Sequence, residues 1–224
     1  MGKEEKRADF ARAVDQTALP LLLELARFAQ AKPGPLESVA RRFFPFWSGP
    51  LDERRGARVV DFLMFDFRNG GYGRRAIDEF LIQRGAGLPD EARTMLTRWS
   101  DATQRLYAVE RWSGGFITCS DALAGGAAIE VLPLRSEGAR SEGRPVGLRA
   151  LACGVAYFCT GRPLEFDVRG TDEVRAAVRA RHLTYVRTKR IAGIDEFLRA
   201  DPTALDEEAA LGGRTSSIIL PGLP

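Results

Sequence analysis

The hydrophobic period of this chain changes once, near Leu106, and that change decides the class of fold open to it. Before it, apolar residues recur at helical spacing; after it, they alternate with polar ones, as in strands with one buried face. Phe10, Val14, Leu21, Leu22, Leu25, Phe28 and Ala29 form a helical stripe. Within it, Pro20 predicts a kink or restart because it brings no N–H to the helix. Asp52 fits the N-cap of a helix reaching about Phe67, with Val59, Val60, Leu63 and Phe67 inward. Asn69 to Gly73 stops that helix. Ile77, Phe80 and Leu81 mark a short one ending near Gly85, and Pro89-Asp90-Glu91 opens another that presents Ala92, Met95, Leu96 and Trp99. Proline-rich segments at 32–35 and 45–50 read as linkers.

After Leu106, six runs read as strands: 106–112, 116–120, 127–132, 147–153, 155–160 and 164–168. Gly114-Gly115, Gly125-Gly126 and Gly161 fall between them as turns, and 136–144 reads as a polar loop. Helical spacing returns at Thr171, an N-cap candidate followed by Asp172 and Glu173, and runs to about Lys189. Short helices follow over 193–200 and 202–210. The expectation is an α+β fold in one integrated unit. It has a helical region over 1–104, a small antiparallel β-barrel or roll over 105–170, C-terminal helices over 171–211 packing back, and a loosely held tail over 212–224.

Composition excludes several function classes. No apolar run approaches the roughly 20 residues of a membrane span, and Leu19 to Ala31 is broken by Pro20, Glu24, Arg27 and Gln30. No signal-peptide pattern is present, so the chain reads as cytoplasmic, with no membrane partner. Cys119, Cys153 and Cys159 sit in apolar surroundings, and Cys153-x5-Cys159 is not a zinc spacing. With a single histidine, no His-built metal site can form, and the expected metal and cofactor content is none. Only Lys3, Lys6, Lys32 and Lys189 among the 33 basic residues are lysines, so arginine is abundant throughout and its placement matters more than its number.

Phe62-Leu63-Met64-Phe65-Asp66-Phe67, a glycine-rich turn and then Ile77-Asp78-Glu79-Phe80-Leu81 resemble the "WFLFDY … TPLELFL" run of an uncharacterised bacterial family. Leu88-Pro89-Asp90-Glu91 agrees with the next helix start. Leu106 to Glu110 is similar to its "GLYEV", and Ser120 to Gly126 to its "DLLTGE" turn. The strands from Val146 to Glu165 and the Gly193 to Leu198 element also resemble it, so the likeness covers roughly 55–205. Some members of that family are associated with the cysteine-rich zinc motif of the SecA C-terminus, which this sequence lacks. The resemblance implies an architecture and brings no activity.

Reactive constellations are sparse. There is no GxxxxGK[ST] and no GxGxxG. His182 is the one imidazole; a Cys159–His182 pair is conceivable, without any nucleophile turn beside it. Asp61 and Asp66, five apart on a helix, would point about 140° away from each other, and nothing in the sequence distinguishes an acid/base pair from ordinary surface charge.

Charge placement says more. Residues 171–190 hold six basic and two acidic side chains, while 191–224 hold two and six. Arg175, Arg179 and His182 align at i, i+4 and i+7, with Lys189 and Arg190 extending the patch. Two readings compete: a binding face, or a solvated surface neutralised by the acidic segment folding back. Arg54, Arg55 and Arg58 could enlarge a patch. Phe43, Phe44, Phe46 and Trp47 read as a hydrophobic anchor, with base stacking as the other reading. Trp112, at a hairpin tip, is a candidate recognition residue.

The candidate surface is therefore Arg175, Arg179, His182, Lys189, Arg190, Arg54, Arg55, Arg58 and Trp112. The functional expectation is a cytoplasmic, non-enzymatic binding or adaptor protein with a protein partner. A nucleic-acid-associated role using the basic helix is the alternative, and a small hydrolase-like enzyme comes third.

Overall fold

A computed structural model of the chain describes residues 2–31, 39, 53–68, 73–134, 143–160, 163–166, 170–191 and 193–212, with backbone alone at 53–55 and 210–212. The expected linkers, the anchor aromatics at 43–47, Asp52, most of the 136–144 loop and the tail beyond 212 lie outside the described residues.

The described helices before the sheet are α1 (Lys3–Ala13), α2 (Leu19–Gln30), α3 (Glu53–Phe65), α4 (Ala76–Arg84) and α5 (Asp90–Asp101). The restart expected at Pro20 takes the form of a π turn over Val14–Ala18, in which the Leu19 N–H donates to the Val14 carbonyl. That five-residue step lies just ahead of the proline, whose ring would crowd the carbonyl four residues back. Leu22, Leu25, Phe62, Phe65, Ile77, Phe80, Leu96 and Trp99 build one core from these helices.

Seven strands follow: β1 (Arg105–Ser113), β2 (Phe116–Asp121), β3 (Ile129–Pro133), β4 (Pro145–Leu148), β5 (Ala150–Cys153), β6 (Ala156–Cys159) and β7 (Leu164–Glu165). They form one sheet ordered β5-β6-β3-β2-β1-β4-β7. The chain is α+β, but the small antiparallel barrel does not hold. The sheet is mixed, since β3 and β6 run parallel, and no ladder joins β5 to β4 or β7 among the described residues.

Counting reversals explains the parallel pair. β3 runs with β1, β4 runs against β1, β5 continues in line from β4, and the Gly154-Val155 turn sends β6 back beside β3. The fourth expected strand is thus two, broken at Arg149.

That break also sets the curvature. Four strands separate β5 from β4 in the sheet order, yet only Arg149 separates them in the chain. In a flat sheet they would stand about 24 Å apart, at roughly 4.8 Å per strand. Neighbouring Cα atoms are about 3.8 Å apart, so the open sheet must curl through most of a turn. Its concave side holds Tyr107, Val109, Ile117, Cys119, Val131, Val146, Leu148 and Cys159. Gly114 and Gly115, both at positive φ, make the tight β1–β2 turn, as two-residue hairpins require.

Helices cover the convex side in two groups. Leu151, Cys153 and Phe158 of β5 and β6 join the core of α2 to α5. Leu106 of β1 and Phe166, just beyond β7, join a separate core with α6 (Thr171–Lys189), α7 (Ile194–Ala200) and α8 (Ala204–Gly212). The C-terminal helices therefore pack back on the sheet. Gly170 rather than Thr171 is the N-cap of α6.

Candidate functional site

α6 turns Val174 and Val178 inward, and its next inward positions, His182 and Tyr185, meet Phe197 of α7 with ring centroids 5.4 and 5.0 Å away. The acidic segment does fold back, at one position. Arg181 pairs with Asp201 at 2.8 Å and Glu207 at 2.7 Å. Burial works against the Arg181 cation, but these two carboxylates outweigh it and raise its pKa.

The other basic residues of α6 divide into two sets. Arg175 pairs with Asp172 one turn back, and Arg179 donates to the Leu123 carbonyl at 3.2 Å. Beyond Tyr185 every residue from Val186 to Arg190 is exposed. There Lys189 lies over the Tyr185 ring, while Arg187 and Arg190 have no ion-pair partner among the described residues. Arg190 closes the helix in the left-handed region, at φ 57°.

Two apolar side chains stand among these cations. Leu183 is 55% exposed and Val186 36% exposed. Leu183, Val186, Arg187 and Arg190 are i, i+3, i+4 and i+7, so they share one stripe of the helix. Sequence reading recognised the arginines and passed over this pair.

The remaining candidates lie elsewhere. Trp112 is half-buried and packs against the concave cluster of the sheet rather than standing free at the hairpin tip. Arg54 and Arg55 lie in the first turn of α3, where the backbone alone is described. Arg58 faces inward. Cys159 belongs to the sheet's concave core and His182 to the C-terminal core, so the structure keeps this pair apart. The Cys119 thiol is pushed up to about 12 by burial, with Glu110 and Asp121 adding to it, which leaves it a poor nucleophile.

Arg58 belongs to a charged cluster where the three parts of the fold meet. It donates to Asp61 at 2.7 Å and to both carboxylate oxygens of Asp206 in α8, at 2.7 and 2.6 Å, and also reaches Gln104. Arg149, at the bend between β4 and β5, is 3% exposed and pairs with Asp61 and Asp66. Thr160 donates to Asp61 at 2.6 Å. Asp61 and Asp66 are therefore not surface charges. Both reach one guanidinium although Asp66, the first residue past α3, still donates its N–H to the Phe62 carbonyl in helical fashion at 2.9 Å.

Burial would push both carboxyls up. Arg149 and Arg58 reverse this at Asp61, whose pKa is lowered; at Asp66 burial prevails, with Asp61 adding repulsion, and the pKa is raised. The two act on either side of the ordinary aspartate value, about 3.9. Asp61 contributes stability above that value which is lost as pH falls through its lower folded pKa. Asp66 favours the fold while it keeps its proton, and that contribution is lost as pH rises through its raised pKa. Urea midpoints between pH 2.5 and 6 should show Asp61→Asn flattening the acid limb and Asp66→Asn flattening the decline above it. Parallel curves for all three proteins would disprove this division.

No family model, curated protein or solved structure matches the chain. Among the described residues no group of three His, Cys, Asp or Glu side chains is placed to hold a metal, and no helix is long and apolar enough to cross a membrane. Within the charged cluster Asp61, Asp66 and Asp206 each meet a guanidinium. On the outer half of α6, Arg187 and Arg190 keep their charges without an ion pair among the described residues, beside the exposed Leu183 and Val186.

Proposed function

We propose that this chain is a non-enzymatic binding or adaptor protein, and that the outer half of α6 docks an acidic, amphipathic segment of a protein partner. The observation that carries this reading is the exposed Leu183–Val186 pair on the same stripe as Arg187 and Arg190. Apolar anchors ringed by cations suit a helix or strand bearing leucine-like residues flanked by carboxylates. The anchors gain by desolvation, and arginine–carboxylate hydrogen bonds set the register. A nucleic-acid face would draw on the whole basic helix, and here Arg175, Arg179 and Arg181 already have partners.

A random 12-residue peptide-display selection against the immobilised full chain tests the proposal. Enriched peptides should combine Asp or Glu with Leu, Ile or Phe. Their affinity should fall at least tenfold with Leu183→Asp, and as far with Arg187→Glu plus Arg190→Glu. Basic or neutral consensus peptides, or binding indifferent to both variants, would refute it. A labelled single-stranded oligonucleotide bound with a steep salt slope that the double charge reversal flattens would put nucleic acid in place of the protein partner.

A further inference from the structure

On the convex face of β2 and β3, Leu132 packs against the α2–α5 core, and Phe116, Thr118 and Glu130 lie beyond it. α1 lies over that part of the face, and α1 buries none of its own residues. Its hold is one stripe of the helix: Lys3, Arg7 and Phe10, at i, i+4 and i+7. Lys3 and Arg7 both pair with Oε1 of Glu130 in β3, each at 2.7 Å. The Arg7 guanidinium sits 5.0 Å over the Phe116 ring of β2, and the Phe10 ring packs against the same ring at 6.1 Å.

The fit leaves polar groups unmet. Arg7 Nε and Thr118 Oγ1 are both buried without a hydrogen-bond partner among the described residues. Thr118 is opposite Glu130 in the β2–β3 register and two residues from Phe116, so the orphaned hydroxyl belongs to the same face. Phe10 also packs against the α2–α5 core, while the rest of the α1 contact offers two cations to one carboxylate and a ring, and leaves a hydroxyl without a partner among the described residues.

We propose that the β2–β3 face is a second docking surface, for a basic helical segment of a partner protein with the pattern cation-x3-arginine-x2-aromatic. α1 occupies it as an intramolecular stand-in. Glu130 supplies the charge complementarity, Phe116 the stacking platform, and Thr118 a hydroxyl that a partner's polar group can satisfy and α1 does not. The proposal is independent of α6. Together the two faces would let the chain bridge an acidic and a basic partner, as an adaptor must.

The probe is a labelled peptide with the sequence of residues 2–14, titrated into the full chain by NMR up to millimolar concentration. In the intact chain α1 competes with it. In the Lys3→Glu, Arg7→Glu, Phe10→Ser chain the face is open, and the peptide should bind at least tenfold more tightly, with shifts at Phe116, Thr118 and Glu130. Adding Glu130→Gln to the opened chain should abolish most of that gain, and raising the salt should weaken binding. A control peptide carrying the same three changes should not bind. Hydrogen exchange over β1–β3 keeps the test fair: an opened chain with native protection that ignores the peptide overturns the proposal, as does equal binding to both chains. If that chain loses its sheet protection, Arg7→Gln with Phe10→Ala serves as the opened form under the same criteria.

Discussion

Arg149→Met should cost about 3–5 kcal/mol of unfolding free energy, the range for removing one partner of a buried ion pair. Arg149 is 3% exposed and, among the described residues, is the one cation that forms ion pairs with both Asp61 and Asp66. Methionine keeps the length of the stem, so the loss falls on charge rather than volume. It leaves Asp66 without its cation and Asp61 with Arg58 alone, while the Ala102 carbonyl, which accepts from Arg149, loses its donor. Urea unfolding with an unchanged m-value would report this directly. Asp66→Asn added to Arg149→Met should cost less than the two changes separately, by a coupling of about 1–3 kcal/mol. Strict additivity would mean that the pair does not interact. The same change should loosen α8, because Arg58 ties Asp61 to Asp206 and the cluster is where the C-terminal helices meet α3. A wild-type exchange pattern over 204–209 in Arg149→Met would contradict that link.

The way this cluster escaped the sequence shows where sequence reading fails for this chain. Helices were legible because each carries its own period: α4 and α6 begin and end, and α5 begins, within a residue or two of expectation. Strands were legible for the same reason, and Gly114-Gly115 announced its hairpin. The sheet's pairing order was not, because β3–β6 joins strands separated by two others in the chain, and no local pattern records a non-local partner. Treating 147–153 as one strand hid the bend that curls the sheet.

The bend did leave a trace. Arg149 is a charged residue inside Val146-Gly147-Leu148-Arg149-Ala150-Leu151, and Asp61 is one inside Val59-Val60-Asp61-Phe62-Leu63. Two opposite charges, each embedded in an apolar run, are candidates for one buried pair, since an ion alone in such a setting is costly. At α6 the arginines were plain in the sequence, but which of them the fold would use for itself was not. That depended on Asp201, just past α7, and Glu207 in α8 arriving from later in the chain.

Trp99→Ala should be as damaging as Arg149→Met, for a different reason. The Trp99 side chain is fully buried in α5 and meets Phe158 of β6 edge-on at 5.6 Å, so its removal empties the joint between helices and sheet. Cavities of this kind cost about 3–5 kcal/mol. The indole also does something no apolar side chain can. On β6, the Cys159 carbonyl accepts from Leu134 on the β3 side, so Ala150 and Ala152 of β5 turn their polar groups away from β6, towards the edge of the sheet. Trp99 Nε1 donates to that Ala152 carbonyl at 2.8 Å. An open sheet must protect its edges from pairing with another chain, and here a helix side chain does so. Trp99→Phe separates the two roles: it retains most of the packing and should cost about 1–3 kcal/mol, the range for a buried acceptor left unsatisfied. Both variants should associate in a concentration-dependent way in light scattering while still folded, because both bare the β5 edge. If Trp99→Phe matches wild type in urea midpoint and stays monodisperse, the indole hydrogen bond guards nothing, and packing alone accounts for Trp99.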